Sequence, residues 1–157
     1  MPFYTNSDGL QQQYGPHGVL SGAKEAAGSG TKKFLILDFN GVGLVDATPV
    51  LDLSAARLPA GAYVIAATLL VEVTFTGATA TLDIGTFKAS DGTALDIDGF
   101  VAASAVAGLT AGADIAGAGA QIGTIIAEDT YVIATYNTAA FTAGKARCVI
   151  EYMMSMQ

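Results

Sequence analysis

Asp91, Asp96 and Asp98, in DGTALDIDG, are the densest set of metal-ligating or proton-carrying side chains in this sequence. A calcium ion takes about six to eight oxygen ligands, and Asp-x-Asp-Gly supplies a fragment of such a loop. The EF-hand spacing fails, because Ala94 stands two before Asp96 and no Glu closes the segment. Turn chemistry alone accounts for Asp-Gly pairs, so no metal is assigned to the loop 91–99. The one cysteine, Cys148, lies in the apolar run 146–154, while the one histidine, His17, sits in a distant polar segment. A thiol nucleophile needs an adjacent base or cation, so Cys148 reads as a small core residue. With one His and one Cys, a His/Cys metal centre is excluded. Gly41-x-Gly43 and Gly117-x-Gly119 lack the Lys-Ser/Thr that would make a phosphate loop. A carboxylate pair for glycoside hydrolysis stays open, since such residues are distant in the chain and close in space. The chain has no Trp to serve as a sugar platform. No catalytic residue and no cofactor are assigned, and the protein is not expected to be an enzyme.

The elements that would position any site are strands. Between Ala62 and Gly85, Leu69, Val71, Val73 and Phe75 alternate with polar residues. Beyond Gly77, Ala78, Ala80, Leu82 and Ile84 alternate with Thr79, Thr81 and Asp83. Period-two alternation is the mark of a half-buried strand, and Thr76-Gly77 between the runs suggests a hairpin. A second hairpin is expected from 121–127 and 130–137, turning at Glu128-Asp129. A closing strand follows over 145–154, with Cys148, Ile150 and Tyr152 on one face. The run 32–39, KKFLILDF, reads as a strand covered on both faces. Residues 44–53 suggest another, which Pro49 marks as an edge. Asp98 could cap a short helix near 99–109, with Phe100, Ala103 and Ala107 on one stripe; a strand fits nearly as well.

The resulting fold class is all-β and mostly antiparallel, a β-sandwich or jelly-roll-like domain over 32–157. Residues 1–31 read as an extended N-terminal arm, because a Gly-, Gln- and Ser-rich segment without periodicity buries little apolar surface. Extended, such an arm reaches roughly 100 Å. Phe3, Tyr4, Leu10 and Tyr14 are its candidate partner-binding anchors.

Composition limits the partners. Charged residues make up 13% of the chain and hydrophobic ones 52%, against an ordinary charged share of about 25%. Much of the surface is therefore small and uncharged, or is covered by other subunits. A net charge of −7 argues against direct nucleic-acid contact and against an anionic membrane surface. The start, MPFYTNSDG, has neither a basic nor an apolar signal region, which suggests synthesis and folding in a reducing cytoplasm.

From Leu58 onward the phrases LPAGAYVIAATLLVEVTFTGATATLDIGT, DGTALDIDGF, AQIGTIIAEDTYVIATY and FTAGKARCVIEYM resemble the small decoration, or cement, proteins of tailed-bacteriophage heads. The resemblance covers about the last two-thirds of the chain. It implies a virion structural protein on the outer capsid surface, assembled in the host cytoplasm, with the major capsid protein as partner. A homo-oligomer is expected, a trimer by closed symmetry about a local axis, with a dimer also open. The alternatives are a tail, fibre or vertex module for host attachment, and a carbohydrate-binding or hydrolytic β-sandwich.

Overall fold

Strands dominate the chain because its apolar residues recur at every second position and β-branched residues fill the alternate ones. The structure is a computed structural model that describes residues 3–5, 11–13, 32–46 and 56–154. Among the described residues ten strands run in order: β1 (Phe3–Thr5), β2 (Gln11–Gln13), β3 (Lys33–Asn40), β4 (Ala56–Leu58), β5 (Ala62–Thr76), β6 (Thr81–Lys88), β7 (Ala94–Ala105), β8 (Asp114–Ala116), β9 (Thr130–Asn137) and β10 (Ala143–Met154). Single 3-10 turns occupy Gly41–Gly43 and Val106–Gly108. β1 and β2 form a small antiparallel pair, with Phe3 opposite Gln13 and Tyr4 opposite Gln12.

The other eight strands form two four-stranded antiparallel sheets, ordered β3-β10-β5-β8 and β4-β9-β6-β7. The pairing is nested: β3 with β10, β4 with β9, β5 with β8, and β6 with β7. Two further ladders, β5 with β10 and β6 with β9, roll this nest into stacked layers. The all-β expectation holds, and the strand order is jelly-roll-like. Leu69, Phe75, Cys148 and Ile150 meet Leu82, Ile84, Phe100 and Val132 in the buried core between the sheets. Each such large side chain contributes about 1.5–3 kcal/mol by leaving water.

Several sequence expectations change here. The runs 62–76 and 81–88 do not form a hairpin; they lie in different sheets and face each other across the core. Alternation cannot tell the two arrangements apart, since either one buries the apolar faces together. Residues 77–80 therefore form an arch, where Gly77 admits the side chain of Ala80 and the backbone of Ala140. Val73 is 51% exposed, and Ala78 is also outside. Two register shifts between β5 and β10 flank Val73; the first turns it outward and the second restores Phe75 to the core.

The helix considered near 99–109 is strand as far as Ala105, followed by the one-turn 3-10 segment. Of its supposed stripe, Phe100 is buried but Ala103 and Ala107 are exposed, and the segment is instead fixed by its ladder to β6. Opposite Gly85, β7 makes a wide bulge: Ile84 pairs with Val101, whereas Thr86 pairs with Asp96. The extra residues pass over Gly85, whose missing side chain leaves room for the backbone of Asp96 and Ile97.

The run 121–127 is not a strand paired with β9. It follows β5 instead, through Val64 N to Thr124 O (3.0 Å) and Ile126 N to Ala62 O (2.8 Å). Gly119 N and Gln121 N donate to Phe100 O and Gly99 O on the β7 bulge, at 3.2 and 2.9 Å. This segment thereby ties the β5 edge to the opposite sheet. Four short strands, β1, β2, β4 and β8, carried no readable alternation and were missed. Val45 makes an isolated parallel bridge to Thr135, and residues 47–53, the rest of the expected Pro49 strand, lie outside the described residues.

Candidate docking face

β3 was expected to be covered on both faces, and it is not. It is an edge strand whose inner row, Leu35, Leu37 and Phe39, packs on the core. Among the described residues the outer row meets no second layer, leaving Phe34 62% and Ile36 53% exposed. Register places these residues beside the outward side chains of β10 and β5. Ile36 lies opposite Val149, which lies opposite Thr68, and the next row runs Asp38, Arg147, Leu70. Leu70 and Val73 are exposed on β5. The sequence signalled these residues as apolar but not as outward, because a continuous apolar run hides which alternate row has a partner layer.

Most charge on β3, β10 and β5 is paired within the face. Arg147 Nε and an Arg147 terminal NH2 donate to the two carboxylate oxygens of Asp38, at 2.6 and 2.9 Å. The hydrogen-bonded guanidinium holds the Asp38 carboxyl below its ordinary value. Lys145 pairs with Glu72 at 2.6 Å, and Lys32 pairs with Glu151. Among the described residues, the β3-β10-β5-β8 sheet and its flanks carry Lys32, Lys33, Lys145 and Arg147 against Asp38, Glu72, Asp114 and Glu151. They balance. The β4-β9-β6-β7 sheet and its loops carry Asp46, Asp83, Asp91, Asp96, Asp98, Glu128 and Asp129 against only Arg57 and Lys88. The described sandwich is thus electrically two-sided.

Of the residues singled out for chemistry, Asp96 and Asp98 touch each other. Asp91 accepts from Thr93 N (2.9 Å) and Thr93 Oγ1 (2.7 Å), a turn bond that lowers its pKa. Asp96 is raised by burial, and then by its hydrogen bond and charge contact with Asp98. Among the described residues, no three His, Cys, Asp or Glu side chains converge as a metal would require. Cys148 is fully buried in the core, and desolvation pushes its thiol up to about 12. Phe3 and Tyr4 lie in β1, while Leu10, Tyr14 and His17 fall outside the described residues. No described helix is long and apolar enough to cross a membrane.

One ionisable residue escaped the sequence reading. Asp83 is 4% exposed, at the floor of an open depression of about 560 Å³ that Asp46, Tyr136 and Asn137 also line. Its Oδ1 accepts from Ala103 N at 2.5 Å, which holds Ala103 at φ 43° where β7 returns from its bulge. Nothing in TLDIG marks the acid as buried, since a strand Asp between apolar neighbours ordinarily faces water. Burial raises its pKa, the Ala103 N–H partly opposes this, and Asp98 adds to it.

A pH dependence follows. Asp83 and Asp96 bind protons more tightly folded than unfolded, so stability should rise as pH falls from neutral through their raised pKa values, levelling near the ordinary 3.8. Asp38 and Asp91 act oppositely, and their contributions fade only below that value. Asp83→Asn keeps an acceptor for Ala103 N without the charge. Its melting temperature should climb less steeply than the parent's between neutrality and mildly acid pH. Parallel melting curves against pH would refute this assignment.

No family model matches the chain, and no curated protein does. Among solved structures, it is similar to a chain of the cyanophage Pam1 capsid asymmetric unit, with a TM-score of 0.54 and 21% identity. That match covers 96% of this chain and 97% of the other. It is also similar to a chain in the capsid of Ralstonia phage GP4, with a TM-score of 0.48, 21% identity, and coverage of 88% and 92%. At this identity the likeness to the Pam1 chain is one of fold, and it extends over nearly the whole of both chains.

Proposed function

We propose that this chain is a decoration protein of a tailed-bacteriophage head, bound to the outer surface of the major capsid protein lattice and stabilising it. The observation that carries the reading is the end-to-end fold likeness to a chain of a phage capsid asymmetric unit. It is joined by the phrases from Leu58 onward that resemble cement proteins. The physical chemistry fits the task. A subunit that braces neighbouring capsomers needs a rigid body and weakly charged surface to bury. The N-terminal residues Phe3, Tyr4, Leu10 and Tyr14 would anchor the arm on a neighbour, and each contact would oppose the pressure of packaged DNA. A homotrimer about a local axis is the unit we favour over a dimer.

The test is stoichiometry and stabilisation. Purified full-length protein is mixed with expanded heads that lack it, and bound copies are counted per major capsid protein. Copies in lattice proportion, with a higher temperature for DNA release, are expected. A handful of copies confined to a vertex or tail, with loss of host adsorption when the gene is deleted, would instead favour an attachment module. Turnover or specific capture of a glycan would overturn both.

A further inference from the structure

We propose that the outer face of the β3-β10-β5-β8 sheet is the surface that seats on the shell, against an apolar and nearly neutral patch of the capsid protein. The acidic sheet is then turned to solvent. This rests on the decoration reading above and names the surface that reading left open.

The apolar residues on this face gather at its β3 side. Phe34 and Ile36 stand two apart on one strand and Ile36 is in register with half-buried Val149 on the next, while Leu70 on the third lies one row on, in register with Arg147 of the Asp38 ion pair. Single exposed hydrophobes are ordinary, whereas a contiguous patch on adjoining strands marks an interaction surface. The core between the sheets is filled without them, so the described fold does not account for their being apolar.

Charge decides which partner fits. The carboxylates Asp38, Glu72 and Glu151 already have cationic neighbours on the same face. Covering the strip over β3, β10 and β5 therefore strands no lone charge, the costly event in burying ionised groups, as long as exposed Asp114, in register with Leu70 on the β8 edge, stays at the solvated rim. It also offers no net charge for a partner to match, so a complementary surface is apolar and close to neutral. The other sheet would suit only a strongly basic partner, and binding there would be screened by salt.

The experiment measures binding of the full chain to heads lacking it, at low and at high salt. Phe34→Asp and Ile36→Asp test the face. Ile36→Thr is added because it keeps the β-branched backbone preference should an acid prevent folding. Glu128→Gln and Asp129→Asn test the acidic side, and melting curves and sedimentation report folding and mass. Wild-type affinity should change by less than roughly threefold with salt. The Asp variants should lose about tenfold or more while remaining folded, as expected for central contacts of an interface. The acidic-side variants should stay within about twofold of wild type, as exposed rim charges do. Three results would overturn the proposal: steep loss of binding with salt, wild-type binding by folded Phe34 and Ile36 variants, or variants that change the mass of the protein in solution but not its binding to heads. The last would make this a face between copies of the chain. Failure of the wild-type protein to bind heads at all would remove the decoration reading itself, and so is distinct from these.

Discussion

Phe75→Ala should destabilise the protein by about 3–5 kcal/mol, the cost of emptying a buried aromatic site. For a chain of this size that corresponds to a fall in Tm of roughly 10 °C or more. Phe75 is the penultimate residue of β5 and is 2% exposed. Its ring meets Phe141 edge-on at 5.0 Å and 76°, and Phe39 in a tilted contact at 6.2 Å. It thereby joins β3, β5 and the connection into β10. Gly144 completes the pocket: its φ is +134°, and a side chain there would run into the Phe75 ring. Gly144→Ala should therefore cost about 1–3 kcal/mol for the backbone conformation alone, plus the overlap with the ring. The two effects share a cause, so they should not add. In the Phe75→Ala background the overlap disappears and only the backbone strain of Gly144→Ala is left. Denaturant unfolding of both single variants and the double variant measures this. Strict additivity would mean that Gly144 is set by its backbone angle and not by the ring.

Gly85→Ala is the second large effect. The backbone of Asp96 and Ile97 crosses where its side chain would stand. That crossing cannot shift freely. Gly99 O and Phe100 O are tied to Gln121 N and Gly119 N, and Ala103 N is tied to Asp83. Overpacking against a fixed backbone costs about 1–3 kcal/mol or more. The damage should be local, with the β7 bulge lifting from β6, so amide exchange over residues 96–101 should accelerate more than exchange in β10. Gly43→Ala is the control. No heavy atom lies within 4 Å of the added carbon there, and stability should stay within about 0.5 kcal/mol. Equal protection of both regions in Gly85→Ala would mean that the bulge is not an independent unit.

The candidate docking face was half legible. That Phe34 and Ile36 are apolar is plain in KKFLILDF, but a run of four apolar residues does not say which row lacks a layer. The edge position of β3 settles that, and it depends on β10, which lies more than a hundred residues along the chain. The ion pair of Asp38 with Arg147 spans the same distance. The acidic side was likewise hidden, since Asp46, Asp98 and Glu128 gather only when their loops fold onto one sheet.

What the sequence determined alone was that β6, β9 and β10 are strands, and which of their alternating residues turn inward. In β6, β9 and β10 the alternating residues Leu82, Ile84, Val132, Ala134, Cys148 and Ile150 are buried as their spacing requires. This follows because side-chain direction along a strand is a local property, repeated every two residues. Tertiary structure decided which strands are neighbours. It set β5 and β6 face to face instead of side by side, sent 121–127 along β5, bent β7 over Gly85 and buried Asp83. Backbone hydrogen bonds are the same whichever strand supplies them, so partner choice rests on how whole layers pack, and no short stretch of sequence carries that information.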